Sequence, residues 1–218
     1  MRNKKFNKIK MKKKQLEIKL QKLKGYQNPI PGLEQYLTPA ALASAILNYI
    51  NLDEGFKGKK VIDLGSGTGT LAIGAKLLGA EKVVGVEKDP DAIKIARENR
   101  NRLDLDIDYV NLDVREFNDE SDLVIQNPPF GSQKKGNDRP FIEKSLSIAP
   151  IVYSIHKTES RNFIEKFITE LDAEICVRKK TGFPIERTFN FHEEDVKKVN
   201  VDFYKFIRNQ TKNRLKNE

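Results

Sequence analysis

Val61-Ile62-Asp63-Leu64-Gly65-Ser66-Gly67-Thr68-Gly69 is a short apolar run that ends on three glycines set two apart, and helical spacing begins at once after it, over 68–78. A strand that enters a helix through so small a loop belongs to an α/β layer, where the backbone must reverse with minimal bulk. The pattern repeats along the chain. Strand candidates fall at 60–64, 82–87, 107–111, 122–126, 151–155, 173–178 and 201–207, and helix candidates at 39–51, 68–78, 90–103, 139–148 and 159–171. Short apolar runs alternating with helices imply a mostly parallel sheet covered on both faces. The connection 179–200 is polar, contains Gly and Pro, and lacks the period of a crossover helix. The last two strands are therefore expected to be antiparallel neighbours. The fold class predicted is α/β, a doubly wound seven-stranded sheet, mostly parallel, with an antiparallel last strand. Thr38 before Pro39, Asp89 before Pro90 and Asp138 before Arg139 stand where helix caps are expected.

The charge is uneven. The 218 residues carry 40 Lys+Arg against 31 Asp+Glu, a net charge of +9, yet residues 1–24 alone hold 11 basic side chains and one acid, Glu17. A nearly neutral domain, 25–218, is thus expected to carry a basic N-terminal arm, 1–24. Such an arm suits a polyanion, because each neutralised phosphate releases counterions, and it equally suits a solvated tail. Leu16, Leu20 and Leu23 share one helical face, so 12–24 is expected to form a helix that Gly25 ends. With one cysteine, Cys176, and two histidines, His156 and His192, neither a disulfide framework nor a four-ligand zinc site can be assembled without many carboxylates, and no metal site is expected. No apolar stretch reaches 18 residues, so no membrane span is expected and the cytoplasm is the expected compartment.

Several acids and amides fall at the carboxyl ends of these strands, where open α/β sheets bind ligands. The glycine loop lets a ligand approach main-chain N–H groups at a helix start. Asp63 can hold water or an amino group, or satisfy the loop's own N–H groups. Glu87 ends the second strand, where an acid can accept both hydroxyls of a ribose. Asp113 follows the third strand and can meet an adenine amine or cap a helix. Asn127-Pro128-Pro129-Phe130 follows the fourth. Two prolines fix φ and remove donors, leaving the carbonyls of Asn127 and Pro128 and the Asn127 amide oxygen as acceptors for an –NH2 group. An exocyclic amine is a poor nucleophile, and two such hydrogen bonds favour the pyramidal nitrogen that can attack a methyl sulfonium. Phe130 offers a face for a base. His156 either touches substrate or is a satisfied structural histidine.

Gly65-Ser66-Gly67-Thr68-Gly69, Glu87 and Asn127-Pro128-Pro129-Phe130 together resemble the Rossmann-like class I amino-methyltransferases. Leu33-Glu34-Gln35-Tyr36-Leu37-Thr38, the run Lys135-Gly136-Asn137-Asp138 and Tyr153-Ser154-Ile155-His156-Lys157 are similar to the methyltransferase-like protein 5 family, over about Lys12 to Ile207. That resemblance implies S-adenosyl-L-methionine as cofactor and methylation of an adenine N6 amine in small-subunit ribosomal RNA. It also implies a small zinc-containing activator subunit, and a methionine end of the cofactor lined by Gln35, Tyr36 and Thr38. Asp63, Gly65, Ser66, Gly67, Gly69, Glu87, Asp113 and Asn127 complete the expected cofactor site, and Asn127, Pro128, Pro129 and Phe130 the transfer site. Leu37 stands where a proline is common in that block. The same motif also fits a protein glutamine amide or a guanine amine, and a non-catalytic RNA-binding scaffold is the alternative of another class. In the strand order of such folds Ile107-Asp108-Tyr109-Val110-Asn111 lies at the sheet edge, and it contains no lysine or proline to blunt pairing. The activator is expected to add a strand there.

Overall fold

Seven strands form one sheet in a computed structural model of the chain, which describes residues 11–131, 136–185 and 197–209. In chain order the elements are α1 (Lys13–Leu20), α2 (Ala40–Asp53), β1 (Lys60–Leu64), α3 (Thr70–Leu77), β2 (Lys82–Glu87), α4 (Pro90–Arg102), β3 (Asp108–Asn111), β4 (Leu123–Gln126), α5 (Arg139–Ile148), β5 (Ile151–Lys157), α6 (Arg161–Glu170), β6 (Ala173–Ile185) and β7 (Lys197–Arg208). The sheet runs β3-β2-β1-β4-β5-β7-β6, and every pairing is parallel except the two that β7 makes with β5 and β6. The seven-stranded sheet with an antiparallel last strand is the fold expected.

Side chains alternate across each strand, and this period divides the interior into two cores. Val61, Leu123, Ile125, Tyr153 and Phe203 pack with residues of α1, α2 and α3 on one face. Ile62, Leu64, Val124, Val152 and Phe206 pack with α5 and α6 on the other. The central strands are buried on both faces, which is why they read as continuous apolar runs. From β1 the chain winds outward through β2 to β3, then returns on the other side of β1 to form β4. The carboxyl ends of β1 and β4 therefore flank the crevice where the winding reverses.

The structure departs from expectation in several places. β6 and β7 run on past the Lys157–Val201 pair of β5 and β7 to the pair Ile185–Lys197, as a two-stranded ribbon. Because β6 runs parallel to β5, the ribbon leaves the sheet on the edge where β1 and β4 end. A ribbon outside the core needs no apolar alternation, so 179–185 and 197–200 gave no strand signal. His192 lies outside the described residues. α1 ends at Leu20 instead of reaching Gly25, its last turn closed by the Gln21 N–H on the Glu17 carbonyl at 2.9 Å and the Lys22 N–H on the Lys19 carbonyl at 3.3 Å. Leu16 and Leu20 are buried against the domain, so the described part of the basic segment is packed onto the fold. Residues 1–10 lie outside the described residues.

Two of the three expected caps are absent. Asp89 does cap α4, accepting from the Asp91 N–H at 3.0 Å. Thr38 does not cap α2, whose N-cap is Pro39, and Asp138 precedes α5 without a side-chain cap hydrogen bond. Both side chains turn to partners distant in sequence.

β3 is at the sheet edge as expected, but the edge is not bare. Arg100 Nη1 donates to the Ile107 carbonyl at 2.7 Å and Arg97 Nη2 to the Tyr109 carbonyl at 3.0 Å. The guard comes from α4, outside the edge strand itself. Tyr109 itself is buried, its ring beneath the glycine loop. Among the described residues no helix is long and apolar enough to cross a membrane.

Candidate active site

The crevice between β1 and β4 holds a cavity of about 360 Å³, walled by the glycine loop, the ends of β2 and β4, the start of α5 and the segment ahead of α2. That volume is within the range of small-molecule sites.

On the β1 side, the backbone donors are spent within the protein. The N–H groups of Gly65 and Ser66 both reach the Val86 carbonyl, at 2.8 and 3.0 Å, and the Gly69 N–H reaches the Ser66 carbonyl at 2.8 Å. The Gly67 N–H donates to Glu87 Oε2 at 2.9 Å, and the Asp89 N–H to Glu87 Oε1 at 3.0 Å. The N–H groups of Gly65, Ser66, Gly67 and Gly69 thus hold the loop's own shape, and Thr68, Thr70 and Leu71 at the helix start line the cavity. Gly69 has a left-handed φ of 90° and is the N-cap of α3, so the N-cap residue has no side chain with which to cap that helix. Asp63 does so from beneath, Oδ2 accepting from the Ala72 N–H at 2.8 Å. Its Oδ1 is buried without a partner, as are Ser66 Oγ and Thr68 Oγ1. Both readings of Asp63 therefore meet in one carboxylate, with one oxygen serving the fold and one left over. Burial pushes Asp63 up to about 7, against the pull of the Ala72 N–H. Burial also raises Glu87, while its backbone donors act to lower it.

On the β4 side the logic is reversed. Asn127 Nδ2 donates to Thr38 Oγ1 at 3.0 Å, and Asn127 Oδ1 is buried with no hydrogen-bond partner. Thr38, expected as a helix cap, instead sets which way the Asn127 amide faces. Pro129 lines the cavity beside Asn127, whereas Pro128 is buried behind it. Gln35 lines the cavity, but both ends of its amide are used: Nε2 donates to Asp89 Oδ2 at 2.5 Å, and Oε1 accepts from the Ile30 N–H at 2.7 Å. It ties the segment ahead of α2 to the start of α4.

Phe130 does not line the cavity. It is 8% exposed and stacks on Tyr36 with ring centroids 6.4 Å apart, while Lys157 Nζ lies over the ring at 5.8 Å from its centroid. The aromatic face at the cavity is that of Tyr36. Asp113 lines the cavity and also caps the turn Val114–Glu116, its Oδ1 accepting from the Arg115 N–H at 3.0 Å. Both its oxygens meet the Arg115 guanidinium, at 2.8 and 2.7 Å, and this pairing brings the carboxyl down to about 2. Gly69 does not line the cavity, and a Cβ there would collide with Tyr109 Oη.

Two further wall residues carried no sequence signal. Tyr26 places its hydroxyl over Gly67, and Phe141 its ring edge against Gly65, each where a Cβ would otherwise go. Burial, followed by the negative charges of Glu87, Asp89 and Asp63, pushes the Tyr26 hydroxyl pKa up.

Residues 42–147 match the family model of the methyltransferase small domain. The chain is 37% identical to the rRNA N(6)-adenosine-methyltransferase Mettl5 of Drosophila melanogaster, over 90% of this chain and 96% of that protein. It is 36% identical to METTL5 of Danio rerio over 90% of this chain and 99% of that one. A solved structure of a proposed RNA methyltransferase from Pyrococcus horikoshii is 44% identical and superposes with a TM-score of 0.85, covering 91% of this chain and 98% of that one. Likeness of this extent, over about nine tenths of the chain, makes the chain a member of the rRNA N(6)-adenosine-methyltransferase METTL5 family.

Proposed function

We propose that the chain transfers a methyl group from S-adenosyl-L-methionine to the exocyclic N6 amine of an adenine in small-subunit ribosomal RNA. The observation that carries the reading is Asn127 Oδ1, a buried acceptor with no partner whose amide is held in one orientation by Thr38. Leaving a buried acceptor unpaired is unfavourable by about 1–3 kcal/mol, and a ligand N–H removes that penalty. The names of the Drosophila and zebrafish relatives support ribosomal RNA and adenosine as the target.

The cavity suits the cofactor on its own chemistry. Asp63 Oδ1, Ser66 Oγ and Thr68 Oγ1 are buried polar atoms awaiting partners, and Gly65 and Gly67 let Phe141 and Tyr26 close against the loop as walls of the cavity. Glu87 and Asp113 are placed to meet ribose and adenine, with Glu87 already holding the loop. When bound, S-adenosyl-L-methionine supplies an electrophilic methyl on a sulfonium. The chain's residues do the rest. Asn127 Oδ1 and the neighbouring carbonyls accept from the target amine and aim its lone pair, Pro128 and Pro129 keep that corner rigid and free of competing donors, and Tyr36, backed by Phe130, offers the face for the base. No general base is required, since methylation leaves the nitrogen strongly acidic. An adenine within a duplex must be flipped out to reach Asn127. Lys12, Lys13 and Lys14 are exposed on the described part of the basic segment, available to phosphates. A small zinc-containing activator would pair with the β3 edge, competing there with Arg97 and Arg100 for the edge carbonyls.

Mass spectrometry of nucleosides tests the reading, after incubation of the chain with S-adenosyl-L-methionine and unmodified small-subunit ribosomal RNA. N6-methyladenosine is the expected product. A methylated guanine, or methyl transfer to protein glutamine only, overturns the substrate, and absent cofactor binding in calorimetry leaves a scaffold.

A further inference from the structure

Behind the transfer corner lies a chain of buried polar side chains to which the proposed reaction assigns no part. Gln126, the residue before Asn127, donates from Nε2 to Ser154 Oγ at 3.1 Å and faces Ser145 Oγ at 3.4 Å. Ser154 Oγ is 2.6 Å from His156 Nε2, and His156 Nδ1 faces Asp138 Oδ2 at 3.5 Å. All five side chains are buried.

The proton positions follow from counting donors. Ser145 spends its hydroxyl proton on the Ile142 carbonyl at 2.9 Å, so it can only accept from Gln126. Ser154 could accept from both neighbours, but Asp138 Oδ2 only accepts, so the imidazole hydrogen faces it from Nδ1 and Ser154 gives its one proton to Nε2. The imidazole then carries its hydrogen on Nδ1, pointed at Asp138. The chain runs in one direction, from the Gln126 amide to the Asp138 carboxylate. The edge of the Tyr204 ring, 5.9 Å away between centroids, holds the imidazole plane.

The two ends of this relay are the two ends of one segment. Gln126 closes β4 just before Asn127, and Asp138 opens α5; Asn137 before it and Pro140 and Phe141 of the first turn line the cavity wall. The Asp138 carbonyl also accepts from the Phe141 and Ile142 N–H groups, at 3.1 and 3.2 Å. Asp138 thereby gave up helix capping for a tertiary contact. We propose that His156 is a positioning residue for methyl transfer: through Ser154 and Asp138 it fixes the distance between Asn127 and the α5 wall of the pocket. The role rests on the proposed methyl transfer, but the mechanical link is a property of the fold and is testable without it.

The experiment uses the full chain and the His156→Phe variant, which keeps a ring against Tyr204 but breaks both polar contacts. Amide hydrogen exchange is expected to quicken by about 10-fold in 127–131 and in 136–141 together, while β2 and α2 keep their rates. Turnover on unmodified small-subunit ribosomal RNA is expected to fall by about 10- to 100-fold, with S-adenosyl-L-methionine affinity within about 3-fold of the parent. His156→Gln, which retains a donor and an acceptor, should recover part of the loss. Unchanged exchange in the two segments overturns the proposal, and so does a uniform quickening across the whole chain, which marks a merely structural histidine. Should His156→Phe not fold, Ser154→Ala removes only the hydroxyl and is judged by the same two outcomes. A parent chain that methylates no adenine defeats the proposed function, and the exchange result still decides the relay.

Discussion

At the end of β1 the pocket wall turns its N–H groups onto its own carbonyls and onto Glu87, whereas at the end of β4 it holds an amide oxygen out with nothing to receive. The first corner ties its backbone to itself, while Asp63 Oδ1, Ser66 Oγ and Thr68 Oγ1 beside it still lack partners. The second is complete only when a donor arrives. A self-bonded loop at one corner and an amide acceptor oriented by one hydroxyl at the other give the proposed reaction separate controls, one over which molecule is retained and one over which group reacts.

The largest expected effect tests the open corner. Asn127→Ala should lower turnover by about 10²-fold or more, by analogy with removal of one preorganised polar contact. S-adenosyl-L-methionine affinity should stay within a few-fold, and turnover near that of the parent would show that the corner does not act on the amine. The closed corner is tested by Glu87→Ala, which frees the N–H groups of Gly67 and Asp89. Cofactor affinity, measured by calorimetry, should weaken by about 30- to 100-fold, since charge-assisted hydrogen bonds contribute roughly 2–3 kcal/mol. Unchanged affinity would mean that the loop keeps its form unaided. The smallest effect concerns pH. Asp63 titrates near 7 in the fold but near 4 in an unfolded chain, so between those values the folded form holds a proton that the unfolded one has lost. Its contribution to stability is full below about pH 4, declines as pH rises toward 7, and changes no further above it. Denaturant melts of the parent and of Asp63→Asn across pH 5 to 8 should differ in slope, the variant lacking this decline.

The same contrast explains what could be read from the sequence. β1, β2 and α5 begin and end where the apolar periods place them, because central strands and a packed helix must follow those periods. The glycine loop, Glu87 and Asn127 were legible since their place at strand ends is fixed by local order. Thr38 and Asp138 were misread as caps because their partners, Asn127 and His156, are distant in sequence, and propensity carries no information about such partners. Phe130 was assigned an open face that Tyr36 covers. Tyr26 sits in a polar turn with no period to betray it.

Tyr109 belongs to the outermost strand and also lies under Gly69 and Gly85, where any Cβ would strike its ring or hydroxyl. Neither glycine lines the cavity, so both answer to a tyrosine rather than to a ligand, and neither can take a side chain while Tyr109 stands there. A smaller residue at 109 would remove the collision at 69 but not the strain of a side chain at a left-handed φ of 90°, so Gly69 answers to its own backbone as well. The rim of the sheet and the mouth of the pocket are in this sense a single mechanical part, so whatever grips the outer strand pushes on the floor of the loop from behind.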